Sequence, residues 1–311
     1  VHVVGRVDAR DPAGPRFGWP GVQIRTRFSG SSLSLQLADS GLSHYDVTID
    51  GAAPVLLEVS GPLRTYVVAD NLPYGTHDVV LTKRTETFLG VTQLLGVTPG
   101  PGGALVPTPA PSGRRIEIVG DSITCGFGVL GLDQTCPFSA ETESEPVAWG
   151  ALAARSLGAL RMITAWSGLG VLRNYAGDTT PTMPERYGRA LADDETSVWA
   201  HGFVPDVIVV ALGTNDFAGG QGDPGPGFQA AYTSFLATLR SVHPGAHLVA
   251  ATSPMLSGQN RAKLRAYLEG AVAAQKAAGD ARVSLLEIDE QSEEDGYGCG
   301  YHPSRTTQQK M

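Results

Sequence analysis

Residues 22–28 read Val-Gln-Ile-Arg-Thr-Arg-Phe and residues 33–37 read Leu-Ser-Leu-Gln-Leu, so apolar and polar positions alternate along both stretches. A period of two is that of a strand with one buried face. Further short runs follow at 45–49, 55–59, 64–68 and 77–83, parted by Gly, Pro, Asp and Asn. Many short strands between turn residues predict an antiparallel β-sandwich, of the jelly-roll kind, over residues 1–98.

The stretch 99–113 carries Pro99, Pro101, Pro107, Pro109 and Pro111 among several glycines, which predicts a semi-rigid connector. From Arg114 the pattern changes. Apolar runs at 116–119, 160–165, 207–212, 248–251 and 283–288 alternate with Ala- and Leu-rich stretches of helical period at 146–158, 227–242 and 259–278. Alternation of this kind predicts a parallel sheet with helices on both faces, a three-layer α/β/α domain over 114–311. Such sheets place their sites at the carboxyl ends of the strands.

Four of those ends carry chemistry. Ile116 to Val119 runs into Gly120-Asp121-Ser122, which sets a serine where a helix begins and its N–H groups favour negative charge. Taken alone, Asp121 or Ser122 would merely cap that helix. The run ending at Leu212 is followed by Gly213-Thr214-Asn215-Asp216, whose Asn215 can donate an amide hydrogen to an oxyanion or else form a turn. The run ending at Ala165 leads to Gly168, with a backbone N–H open to a ligand, and the last run leads to His302-Pro303. Nucleophile, two oxyanion donors and base thus fall in order along one sheet edge.

Composition narrows the class. A net charge of −8 with 23 Lys and Arg among 311 residues argues against a nucleic-acid surface. No apolar run approaches the roughly 18 to 20 residues of a membrane span, and the first residues lack the pattern of a secretion signal, so any such signal is absent or already removed. The three cysteines lack zinc-site spacing and allow one bridge at most. GxSxG, P-loop and dinucleotide glycine fingerprints are missing from the strand ends.

The blocks Gly120-Asp121-Ser122, Gly168, Gly213 to Asp216 and His302-Pro303 resemble those of the SGNH, or GDSL-type, hydrolases. In the first half, Phe17 to Gly21, Tyr45 to Gly51, Leu72 to His77 and Lys83 to Glu86 look like the sandwich preceding the catalytic domain of carbohydrate esterase family 2, and Met183 to Tyr187 resembles a segment of the same family. The resemblance implies a flavodoxin-like SGNH domain behind a β-sandwich. It also implies a serine esterase that removes O-acetyl groups from sugars, with acetylated oligo- or polysaccharide as partner and no cofactor. Ser122 would be the nucleophile and His302 the base, with Ser122, Gly168 and Asn215 forming the oxyanion hole. A secreted or periplasmic enzyme is expected.

Two departures qualify the resemblance. Most SGNH enzymes carry an aspartate three residues before the histidine, where this chain has Cys299. A Ser-His dyad supported by a backbone carbonyl is therefore expected, with Asp295, Glu294 or Glu293 as alternative third members folding back over the glycines. A closing helix is expected to continue beyond the segment Thr306 to Lys310, and a truncated or disordered tail would weaken the hold on His302. Cys125 and Cys136 are the expected bridge, while Cys125 and Cys299 should lie near one cleft if Ser122 meets His302. Trp166, Trp199, Tyr301 and Tyr297 lie near motif residues and are candidates to stack on a sugar, against the commoner role of a core anchor. The histidine should titrate near its unperturbed value of about 6.5. The competing functions are a lysophospholipase or general short-chain carboxylesterase on the same residues, and a carbohydrate-binding protein with an inactive hydrolase half.

Overall fold

The alternating stretches of the first hundred residues fold as antiparallel strands in a computed structural model that describes residues 1–311. The chain divides into two units, residues 1–112 with 189–200, and residues 113–188 with 201–311.

The first unit contains β1 (His2–Val4), β2 (Arg16–Phe17), β3 (Gln23–Gly30), β4 (Leu33–Asp39), β5 (Leu42–Ile49), β6 (Val55–Ser60), β7 (Arg64–Ala69), β8 (Gly75–Lys83), β9 (Thr92–Pro99) and β10 (Ala104–Val106). One sheet runs β1-β3-β8-β5-β6 with β10 also on β3, and the other runs β2-β9-β4-β7. Alternation decides which side chains face inward. On β3 every second residue is buried, and Ile24 and Phe28 meet no solvent, as do Leu33, Leu35 and Leu37 on β4 of the other sheet. Part of the stretch expected to be a connector is strand: β10 lies between Pro101 and Pro107 and pairs Ala104 with Ser29 and Val106 with Arg27. Three residues between prolines are too few for a periodic signal.

Residues 189–200 belong to this unit although they follow much of the second in sequence. The buried Arg6 guanidinium lies 5.5 Å from the Trp19 ring and 5.8 Å from Trp199, and donates to the Arg189 carbonyl at 3.1 Å. Arg10 donates to the Asp194 carboxylate at 2.7 Å. A buried guanidinium needs such partners, because an unpaired one would cost several kcal/mol.

The second unit is built on β11 (Arg115–Gly120), β12 (Leu160–Ala165), β13 (Val207–Ala211), β14 (His247–Ala251) and β15 (Val283–Leu286), all parallel in the order β12-β11-β13-β14-β15. Its helices are α1 (Ser122–Cys125), α2 (Trp149–Ser156), α3 (Met183–Arg186), α4 (Thr214–Phe217), α5 (Pro226–Val242), α6 (Gly258–Ala277) and α7 (Arg305–Lys310). β11 is buried from Ile116 to Gly120, as a central parallel strand covered on both faces must be. Phe228, Tyr232, Phe235, Leu236 and Leu239 form the inward stripe of α5 at helical spacing. From β11 the chain passes to one side for β12 and then back to the other for β13, so strand order reverses at the carboxyl end of β11. A crevice opens at such a reversal.

The segment behind His302 forms the short helix α7. Gln308 accepts from the Trp149 N–H at 2.8 Å and donates to the Ile123 carbonyl at 3.1 Å, which ties the segment behind His302 to α1 and α2.

Because Ile118 is 1% exposed within a close-packed layer, Ile118→Ala should cost about 2–5 kcal/mol. The exposed Arg265→Ala, which breaks a surface pair with Glu269, should change stability by less than about 1 kcal/mol. Urea unfolding of the two variants beside the parent protein checks the contrast.

Candidate active site

β11 ends at Gly120 because the next turn leaves no room for a side chain: a Cβ there would lie 2.1 Å from Thr124 Oγ1. Asp121 then caps α1, its Oδ1 accepting the Ile123 N–H at 3.0 Å. Capping is thus done by Asp121, and the hydroxyl of Ser122 is left for other work. Its partner is His302, whose Nε2 lies 2.9 Å from Ser122 Oγ.

On the other side of the ring, His302 Nδ1 lies 3.1 Å from the Cys299 carbonyl. A carbonyl oxygen can only accept, so Nδ1 must carry the hydrogen and Nε2 must present its lone pair to the serine. The face of the imidazole is covered by Phe127, with ring centroids 4.2 Å apart, and Phe127 in turn stacks on Phe138 at 4.1 Å. Burial pushes the imidazole down to about 4, against the raising effect of the carbonyl bond. The neutral base therefore persists well below the value expected for an exposed histidine.

The carboxyl groups offered as alternative third members are elsewhere. Asp295 holds Lys310 Nζ at 2.6 and 2.7 Å, while Glu293 and Glu294 are exposed in the same 3-10 turn. The lysine draws Asp295 toward α7, and the Cys299 carbonyl takes the place beside His302.

The loop after β12 carries Gly168 in the left-handed region at φ +84°, and its carbonyl accepts the Tyr175 N–H at 2.8 Å. The loop is organised by Asp216, whose carboxylate accepts the N–H groups of Val171, Leu172 and Arg173 at 3.0, 2.8 and 3.0 Å. Burial raises the Asp216 carboxyl while these three amides oppose the rise. Asn215 is fixed by donation of one amide hydrogen to the Leu169 carbonyl at 2.9 Å. Its Nδ2 also lies 3.4 Å from Asp121 Oδ2, too long for a strong bond. Burial brings the Asp121 carboxyl up to about 7.

The bridge differs from the expected one. Cys136 is bonded to Cys299, with Cα atoms 4.8 Å apart, and Cys125 is a buried thiol outside the bridge. The helical turn of α1 points Cys125 inward, where it packs with Ile116, Ile118, Trp149 and Ile163. The loop that follows α1 turns outward instead and lies along Cys299.

The four aromatic candidates separate. Trp199 is 9% exposed and lies against Arg6 within the first unit, as a core anchor does. Trp166 lies 4.3 Å beneath the Arg186 guanidinium. Tyr301 is 59% exposed beside His302, with Tyr297 at 5.7 Å between ring centroids. Sequence reasoning missed Tyr175, 57% exposed and bonded through its N–H to Gly168, and Phe127 over the imidazole. Tyr175 lies in an irregular turn with no periodic signal, and the only hint of Phe127 was its closeness to the serine.

The arrangement matches known proteins along the whole chain. Residues 3–109 match the family described as Carbohydrate esterase 2 N-terminal, and residues 118–310 match the GDSL-like Lipase/Acylhydrolase family. The Cellulase/esterase CelE of Acetivibrio thermocellus is 34% identical over 99% of this chain, which spans 38% of that protein's length. An Acetylxylan esterase / glucomannan deacetylase of Cellvibrio japonicus is 32% identical over 86% of this chain and 75% of its own length. A solved family two carbohydrate esterase from Clostridium thermocellum, in complex with cellohexaose, superposes with a TM-score of 0.94 at 34% identity, over 99% of this chain and 95% of that one.

Because a buried imidazole pushed down to about 4 stands beside an unfolded value of about 6.5, its contribution to stability is present above pH 6.5 and is lost as pH falls toward 4. Nitrogen-15 NMR of the ring should give a midpoint near 4. A midpoint near 6.5 would mean that the ring is solvated.

Proposed function

The chain belongs to carbohydrate esterase family 2, and from that membership we propose that it is a serine esterase removing O-acetyl groups from sugars in acetylated xylan, mannan or their oligosaccharides. The observation that carries the proposal is the 2.9 Å approach of His302 Nε2 to Ser122 Oγ at the reversal point of the sheet.

In the proposed reaction Ser122 Oγ attacks the acetyl carbonyl and its proton passes to His302 Nε2. The oxyanion that forms is held by the N–H groups of Ser122 and Gly168 and by the second amide hydrogen of Asn215, the one with only a weak tie to Asp121. His302 returns the proton to the departing sugar oxygen and leaves an acetyl-serine. Water then repeats the sequence and releases acetate. The Cys299 carbonyl steadies the imidazolium during each transfer, in the role a carboxylate plays in a triad.

Substrate is drawn to the site by exposed aromatic rings. Tyr175 borders the oxyanion glycine and Tyr301 borders the base, so a pyranose face against either ring would bring its acetyl group to Ser122. These two rings, with Tyr297 beside Tyr301 and Trp166 under Arg186, are assigned to sugar binding. Every residue given a catalytic role lies in the second unit, and the first unit, which takes in β10 and nearly all of the expected 99–113 connector, is assigned an accessory role. A disulfide fits an oxidising compartment, so the proposal places the enzyme outside the cytosol. The structure has no helix long and apolar enough to cross a membrane.

Acetate release from acetylated xylo- and manno-oligosaccharides should vanish in Ser122→Ala and fall by about 100- to 1,000-fold in kcat for Asn215→Ala. Preference for long acyl esters in a chain-length series would instead favour a lipid esterase. With His302 as base, kcat/KM should stay level from about pH 8 down to pH 5 and then fall toward pH 4, in line with the depressed imidazole. Tyr301→Ala should raise KM for oligosaccharides several-fold while leaving hydrolysis of 4-nitrophenyl acetate, which has no sugar ring, within about twofold.

A further inference from the structure

Cys299 occupies the position where a carboxylate was expected, and each of its polar groups is engaged. Its carbonyl accepts from His302 Nδ1, its N–H donates to the Gly128 carbonyl at 3.0 Å, and its sulfur is bonded to Cys136. Gly300 donates to the Gln134 carbonyl at 3.1 Å. Apart from the Tyr301 carbonyl, which accepts from Gln291 Nε2 at 2.9 Å, the external ties of this turn run to one loop, residues 128–136.

The turn needs them. Gly300 and Tyr301 both lie at φ +62°, and for tyrosine this left-handed conformation costs of order 1–3 kcal/mol. It is this curl that brings the carbonyl of residue 299 back to the ring of residue 302. The opposing loop is shaped to receive it: a Cβ on Gly131 would lie 2.3 Å from Cys299 Sγ, and one on Gly128 would lie 2.8 Å from the Cys299 nitrogen. Phe127, directly before this loop, covers the imidazole face.

We propose that the Cys136–Cys299 disulfide is a positioning element for catalysis, holding the Cys299 carbonyl against His302 Nδ1 in place of the missing carboxylate. The inference rests on the esterase reading of Ser122 and His302. A bridge that only cross-linked the unfolded chain across 163 residues would change thermal stability and leave turnover untouched. A positioning bridge controls where Nε2 points, and a misplacement of about 1 Å can cost about a hundredfold in rate.

Dithiothreitol tests this directly: two electrons and two protons convert the disulfide to two thiols while the reagent becomes its cyclic disulfide. Cys136 is half-buried and within reach, and Cys125 is buried in the core, so the reagent acts on the bridge. The full chain is assayed on 4-nitrophenyl acetate at 25 °C in three forms: oxidised, reduced, and Cys136→Ser. The reduced and variant forms should lose about ten- to a hundredfold in kcat, with KM within about twofold and an unchanged far-UV spectrum. Reoxidation should restore the wild type and not the variant. The His302 midpoint should also rise toward 6.5 as the freed ring gains water.

A kcat unchanged in both bridge-less forms, whatever happens to the melting temperature, would overturn the proposal. If the bridge resists reduction, Cys136→Ser decides; if that variant does not fold, the reduced wild type decides. If the oxidised protein hydrolysed no ester, the esterase reading would fall, and the NMR titration of His302 in oxidised and reduced protein would still decide whether the bridge positions the ring.

Discussion

A backbone carbonyl accepts hydrogen bonds and never donates one, and this restriction sets the state of the site. With the Cys299 oxygen on one side of His302, the ring has a single useful tautomer, and its free lone pair faces Ser122. Unlike an aspartate, the carbonyl brings no full charge. Burial is then free to depress the imidazole, since no neighbouring anion holds its protonated form. The orientation and tautomer of the base follow from the identity of that acceptor, and its acidity from burial that no neighbouring anion opposes.

The buried acids play a different part. Asp216 spends both carboxylate oxygens on three consecutive amides of the loop after β12, and Asp121 spends one on the first turn of α1. Each satisfies backbone donors that no strand or helix would pair. The acids of the Gly-Asp-Ser and Gly-Thr-Asn-Asp segments thus shape the backbone around Ser122 and Asn215. Without them the oxyanion donors would lie on loops with unpaired amides.

Much of this was legible in the sequence, and the division follows from range. The parallel sheet could be read because β13 is a continuous apolar run and β11 is one broken only by Glu117, and Ser122, Gly168 and Asn215 because each follows such a run closely, while His302 lies well beyond the last run and was marked by its His-Pro pair. The pairing of Cys136 with Cys299 could not, since it depends on how a glycine-bearing loop packs against a segment distant in sequence. Nearness along the chain favoured Cys125, and the helical turn that buries Cys125 overrode it. The acidity of His302 was hidden for a similar reason: desolvation is a property of the packed neighbours, Phe127 among them. Tyr175 and β10 lie where the chain has no period, so pattern reading passed over them.

The segment 189–200 has a bearing on how the molecule is made. The first unit is complete only when Trp199 closes over Arg6 and Asp194 meets Arg10, yet these residues leave the ribosome only after two strands of the second unit, β11 and β12. Nascent sandwich strands must therefore wait with one rim unfinished while β11 and β12 are already outside the exit tunnel. The two units are interleaved in time during biosynthesis, and an engineer wishing to express the sandwich alone would have to supply the missing strip on a linker or rebuild the rim beneath Arg6.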